Sequence, residues 1–103
     1  MKEIATPQNR CLHLVSGTDP VALSDCRAQC AGGDVILFLD AGVLHLLEQD
    51  RLVPDGGAAE FYSSVDLEAR GLLEAAVHSG VQLASDEDFV RLLERCSHCL
   101  SWQ

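Results

Sequence analysis

The run Val35-Ile36-Leu37-Phe38-Leu39 constrains this chain more than any other feature. Five consecutive apolar residues leave no polar side for water, so a strand made of them is covered on both faces, as in the middle of a parallel sheet. Parallel neighbours need long crossovers, usually helices. The sequence supplies one just upstream. Asp19-Pro20 opens a helix, with Asp19 placed to accept from free N–H groups and Pro20 suited to the first helical position, and Gly32-Gly33 stops it.

The same alternation continues on both sides of that run. Cys11-Leu12-His13-Leu14-Val15 is a short apolar strand that ends in Ser16-Gly17, and Glu60-Phe61-Tyr62-Ser63 and Gly80-Val81-Gln82-Leu83-Ala84 read as further strands. Residues 43–47 read as a short helix and Pro54-Asp55-Gly56-Gly57 as a turn. Ser64 or Asp66 caps one helix that carries Leu67, Ala69, Leu72, Leu73, Ala76 and Val77. Ser85 caps another, where Asp86, Glu87 and Asp88 suit the positive end of the helix dipole and Phe89, Val90, Leu92 and Leu93 form the apolar face. Residues 98–102 close the chain as a last strand. The expectation is one α/β domain over residues 1–103: a layered sandwich with a mostly parallel sheet of four or five strands flanked by helices, and residues 1–10 a flexible extension.

Composition narrows the function classes. With 103 residues, 48% hydrophobic and 22% charged, the chain has the make-up of one folded domain rather than a disordered segment. Its net charge of −9 argues against direct nucleic-acid binding, which needs a positive patch. No apolar run approaches the ~18 residues that span a bilayer. Residues 1–10 lack the apolar stretch of a secretory signal, so the expected location is cytoplasmic, with no membrane partner. Five cysteines in a reducing compartment read as thiols, a metal site or redox chemistry rather than a disulfide framework.

Cys96-Ser97-His98-Cys99 is the most conspicuous local cluster. Two thiols and an imidazole suit zinc or a redox pair, but a structural zinc site takes four ligands, and this pair falls at the end of a helix, the wrong pole for stabilising a thiolate. The alternative is plain packing, because free cysteine behaves as a small hydrophobe. Cys26 and Cys30 lie four apart and share a helix face, either as core or, for Cys26, as a thiol near a subunit interface. Cys11 reads as packing and His13 as a hydrogen-bonded interior residue. His45 and His78 have no histidine or cysteine one turn away to share a metal. Asp40-Ala41-Gly42 follows the central strand, where α/β sheets place functional loops. Asp66, Glu68 and Arg70 read as a solvated helix start. No nucleophile elbow, P-loop or dinucleotide fingerprint is present, and no cofactor is expected.

Three ordered stretches resemble the DsrH/TusB family of sulfur-relay proteins. They are Leu12-His13-Leu14-Val15, then Asp66-Leu67-Glu68-Ala69-Arg70-Gly71-Leu72, then Asp88-Phe89-Val90-Arg91-Leu92 leading to Ser101-Trp102. The resemblance spans residues 12–102. It departs from the family pattern at Asp40-Ala41-Gly42, where the family has Asp-Gly, and the Cys96/Cys99 pair has no family counterpart. The resemblance implies a DsrE-like fold and assembly with DsrE/TusD-like and DsrF/TusC-like subunits into a hexamer with two copies of each. It implies a mainly structural or auxiliary part in moving persulfide sulfur to sulfur-carrier proteins, for tRNA 2-thiouridine formation or sulfur oxidation, and at most a sulfurtransferase subunit as an enzyme. Some members carry a cysteine in the first helix, and Cys26 is the residue this carries over as candidate sulfur carrier. Against it stands the other reading, a metal or thiol-redox module using Cys96, His98 and Cys99.

Overall fold

The computed structural model describes residues 10–48 and 58–103. The turn expected at Pro54-Asp55-Gly56-Gly57, and residues 1–9 of the expected extension, lie outside the described residues. Five strands form: β1 (Cys11–Val15), β2 (Val35–Phe38), β3 (Ala59–Ser63), β4 (Gln82–Ala84) and β5 (His98–Trp102). Between them run α1 (Pro20–Gln29), a 3-10 segment (Asp40–Glu48), α2 (Ser64–Ala69), α3 (Leu73–Ser79) and α4 (Asp86–Arg95). The strand order is β4-β3-β2-β1-β5 and every pairing is parallel. The apolar run is the middle strand, and all four residues of β2 are buried, as its lack of a polar side requires.

Connectivity decides which face each helix covers. Steps from β1 through β4 all move one way across the sheet, so their crossovers lie on one face; the return from β4 to β5 at the far edge uses the other. On the first face, Leu23 and Cys26 of α1, Val43 and Leu46 of the 3-10 segment, and Leu67 and Ala76 pack on Val15, Ile36, Phe38 and Tyr62. Phe38 and Tyr62, paired across β2 and β3, stack with ring centroids 4.4 Å apart. On the second face a smaller core of Leu12, Val35, Leu37 and Ala84 meets Phe89 and Leu92 of α4.

The 3-10 segment is longer than the helix expected over 43–47, β2 and β4 are shorter than expected, and three further boundaries differ for readable reasons. The helix anticipated from Leu67 to Val77 is two helices. Gly71 takes φ +71°, a conformation natural to glycine, and the Leu72 N–H turns back to the Leu67 carbonyl at 2.8 Å. The α2 cap is Ser63, whose hydroxyl accepts from Asp66 N, while Ser64 instead donates to the Ala84 carbonyl at 3.2 Å. Helix α1 stops at Gln29 with Cys30 as its cap, ahead of the glycine pair. The caps on α1 and α4 are as expected, and Ser85 with Asp88 completes a reciprocal capping box.

Candidate functional site

At the amino-terminal end of the sheet, β1, the start of β2, the last turns of α1 and α4, and the start of β5 converge. Of the groups that the sequence singled out, His13, Cys26 and Cys30 come together here. At the centre is His13, 1% exposed. Trp102 Nε1 donates to His13 Nδ1 at 3.1 Å, and indole nitrogen is a donor only. Nδ1 therefore carries no proton, the ring proton sits on Nε2, and Nε2 donates to Asp34 Oδ2 at 3.1 Å. Asp34 also accepts from the backbone N–H groups of Cys11 and Ala31. Burial works to raise the Asp34 carboxyl, but the donors at Ala31, His13 and Cys11 outweigh it and hold it below the usual carboxylate range.

His13, Cys26 and Cys30 place one ligand atom each within 4.8 Å of one another, the arrangement a soft metal needs. The imidazole, however, has both nitrogens engaged, one with Trp102 and one with Asp34. A cation here would have to displace one of those bonds, so the geometry is that of a satisfied core histidine beside two packed thiols. Cys26 is 0% exposed. Burial, then the Cys30 thiol, and after these Glu60, push its thiol up to about 12. Cys30 donates to the Cys26 carbonyl at 3.2 Å and is also raised, by burial and by Asp34. In the folded chain Cys26 is thus sealed from solvent and its thiol held in the protonated form at neutral pH.

The Cys96, His98 and Cys99 set is spread out. In the parallel register His98 stands beside Cys11 and Cys99 beside Leu12. Strand alternation therefore sends His98 and Cys99 to opposite faces, and the three do not converge on one point. Cys96 caps α4 and packs against the second core, whereas Cys99 is exposed.

The carboxyl end of the sheet is built differently. Asp40, at φ +52°, is held by its own N–H donating to Asp66 Oδ2 at 2.8 Å and by Arg70 donating to Asp40 Oδ1 at 3.3 Å. Aspartate tolerates this left-handed backbone better than most residues. The Asp66 and Arg70 pair is therefore a clasp between the end of β2 and α2 rather than a solvated helix start. Close by, a crevice of about 140 Å³ opens between the ends of β2, β3 and β4, with Leu37, Leu39 and Phe89 inside and Asp66 and Asp86 at the rim. Gly42 lets the 3-10 segment lie against β1, because a Cβ there would meet the Val15 carbonyl. His45, which looked isolated in the sequence, is buried and donates to the Gly17 carbonyl at 2.9 Å. Sequence reasoning also missed the bidentate Arg27–Glu60 pair, both bonds 2.8 Å, because its members lie 33 residues apart.

A sequence profile of DsrH-like proteins matches residues 15–98, most of the chain and most of this framework. The chain belongs to the DsrH family. Among curated proteins none matches it. Family membership carries a subunit role in sulfur relay. It agrees with the parallel five-stranded sheet, and the matched span includes Asp66 and Arg70 of the clasp. Among the described residues, no helix is long and apolar enough to cross a membrane.

Proposed function

We propose that this DsrH-family chain is a mainly structural or auxiliary subunit of a cytoplasmic sulfur-relay complex. Its partners are DsrE/TusD-like and DsrF/TusC-like subunits, and the complex passes persulfide sulfur to carrier proteins for tRNA 2-thiouridine formation or sulfur oxidation. The observation that carries this reading is the state of Cys26. The cysteine in the first helix is 0% exposed with its thiol pushed up to about 12, so in the folded chain it contributes packing, not a nucleophile.

The surface supports assembly. Helix α4 has no fully buried side chain: Phe89 and Leu92 are half-covered, and Val90 and Leu93 face outward. On the opposite side of the sheet Val21, Val65 and Val77 are each at least half exposed. An amphipathic helix that covers Phe89 and Leu92 but leaves Val90 and Leu93 exposed suits a chain completed by neighbours.

The test is co-expression with DsrE- and DsrF-like proteins followed by size-exclusion chromatography with light scattering. The expected result is one stoichiometric hetero-oligomer. A stable lone chain that ignores both partners would refute the reading.

A further inference from the structure

The two edges of the sheet differ. β4 offers three residues, whereas β5 runs the full length of β1 and is paired along one side only. Strand geometry fixes which of its backbone groups are spare. The His98 N–H donates to the Arg10 carbonyl and the Trp102 carbonyl accepts from Ser16, at 3.3 and 3.1 Å, so residues 98, 100 and 102 turn their peptide groups toward β1. Cys99 and Ser101 therefore aim theirs outward, and among the described residues no strand or side chain pairs with them. Nor is the edge covered: His98, Cys99, Leu100 and Ser101 are all exposed, Leu100 to 48%.

Exposed edges of this length are usually blunted by Lys, Pro, another charge or a bulge. Here residues 96–103 contain no Asp, Glu, Lys, Arg or Pro. Charge narrows the occupant. The chain carries 16 acidic residues against 7 Lys and Arg. A basic partner would be held where carboxylates stand, whereas two copies of this chain repel each other except where the surface is uncharged. The pattern of spare groups is also self-complementary. Cys99 and Ser101 lie one residue to either side of Leu100, so the strand fits its own two-fold image.

We propose that β5 is a self-association edge, pairing antiparallel with β5 of a second copy about a two-fold axis at Leu100. Cys99 of each copy then stands opposite Ser101 of the other, and each such pair exchanges both of its backbone bonds. Two N–H groups and two carbonyls per copy make four hydrogen bonds. Leu100 meets Leu100 in the closer, non-hydrogen-bonded pair, so each leucine covers the exposed part of the other. The two sheets become one continuous sheet with the short β4 at both ends, which leaves no long edge open. This pairing goes beyond the relay reading and does not rest on it, because it is a property of the isolated chain.

The experiment is sedimentation equilibrium of the isolated full-length chain over a concentration series, for wild type, Leu100→Glu and Ser101→Pro. Fluorescence of the single tryptophan, bonded to His13 across β1 and β5, confirms that each is folded. Wild type is expected to dimerise reversibly. Leu100→Glu sets two carboxylates face to face on the axis and is expected to stay monomeric. Ser101→Pro removes one outward N–H per copy while sparing the bonds to β1, and is expected to weaken dimerisation about thirtyfold. Register is read from the double variant Cys99→Ser/Leu100→Cys, which diamide oxidation is expected to link into a disulfide dimer through position 100. A wild type that is monomeric across the series, or a dimer that both Leu100→Glu and Ser101→Pro leave intact, would overturn the proposal. Absence of the crosslink at position 100 would overturn the two-fold pairing. A monomeric wild type that binds a DsrE- or DsrF-like subunit, with binding lost in Ser101→Pro, would assign the edge to that partner instead.

Discussion

At the carboxyl end of the sheet the chain uses carboxylates, helix caps and a glycine contact; at the amino end it uses thiols, a histidine and arginines. In open α/β sheets the crevice beyond the carboxyl ends of the strands is the usual ligand site. Here that crevice is about 140 Å³, and its rim residue Asp66 is already spent on the Asp40 N–H. Every cysteine lies toward the opposite end, on the first half of an edge or inner strand or near the end of a helix. The fold alone would point to one end, and the residue chemistry points to the other. Function in such a fold follows the side chains that are present, not the position that related architectures favour.

Substitutions at the two ends sharpen this contrast, because the carboxyl end is held by shape and the amino end by polar satisfaction. The largest effect is expected from Gly42→Ala. Its new Cβ meets the backbone carbonyl of Val15, which no rotamer change can relieve. A loss of about 4 kcal/mol, read from urea unfolding, fits a backbone clash in a small domain. An alanine variant as stable as wild type would show that the 3-10 segment is not held against β1.

At the other end, His13→Ala removes the acceptor for Trp102 and a donor to Asp34 inside the core. About 3 kcal/mol is expected from the cavity and the stranded polar groups together. The companion test is pH. The folded Asp34 carboxyl titrates below its unfolded value. Its stabilisation is therefore present above the unfolded value and disappears as pH falls through the folded one. Wild-type stability should fall more steeply on acidification below roughly pH 4 than that of Asp34→Asn. Parallel curves for the two proteins would contradict the assigned hydrogen bonds.

Smaller effects separate the two ends further. Arg27→Ala breaks the half-buried bidentate pair with Glu60 and is expected to destabilise by about 1–2 kcal/mol in thermal unfolding. Arg70→Ala removes the single, more exposed bond to Asp40 and should change stability by less than about 0.5 kcal/mol. A reversal of that order would mean that the Asp40 clasp, not the α1 to β3 tie, secures the first face.

Much of this was readable in the residues, and the misses have physical causes. The apolar run at β2 announced a two-sided parallel strand, and Asp19-Pro20 and Ser85 to Asp88 announced their helix starts because caps act within a few residues. The break at Gly71 was hidden by apolar periodicity that continues from Leu67 to Ala76; the glycine itself was the only local sign. His13 was legible as an interior histidine, but its partners Asp34 and Trp102 lie 21 and 89 residues away, set by strand order alone. His45 and Gly17 meet in the same non-local way. The cysteines were legible as thiols, while their burial was not: the four-residue spacing of Cys26 and Cys30 gives a shared face without saying which thiol the sheet seals.

The central claim is that this DsrH-family subunit supports sulfur relay without chemistry at Cys26. The direct measurement is sulfur transfer through a complex reconstituted with DsrE- and DsrF-like subunits, containing wild-type chain, the Cys26→Ala chain, or no chain of this kind. The account predicts that Cys26→Ala sustains wild-type transfer and that omission abolishes it. A correctly assembled Cys26→Ala complex that transfers no more sulfur than the complex lacking the chain would contradict it.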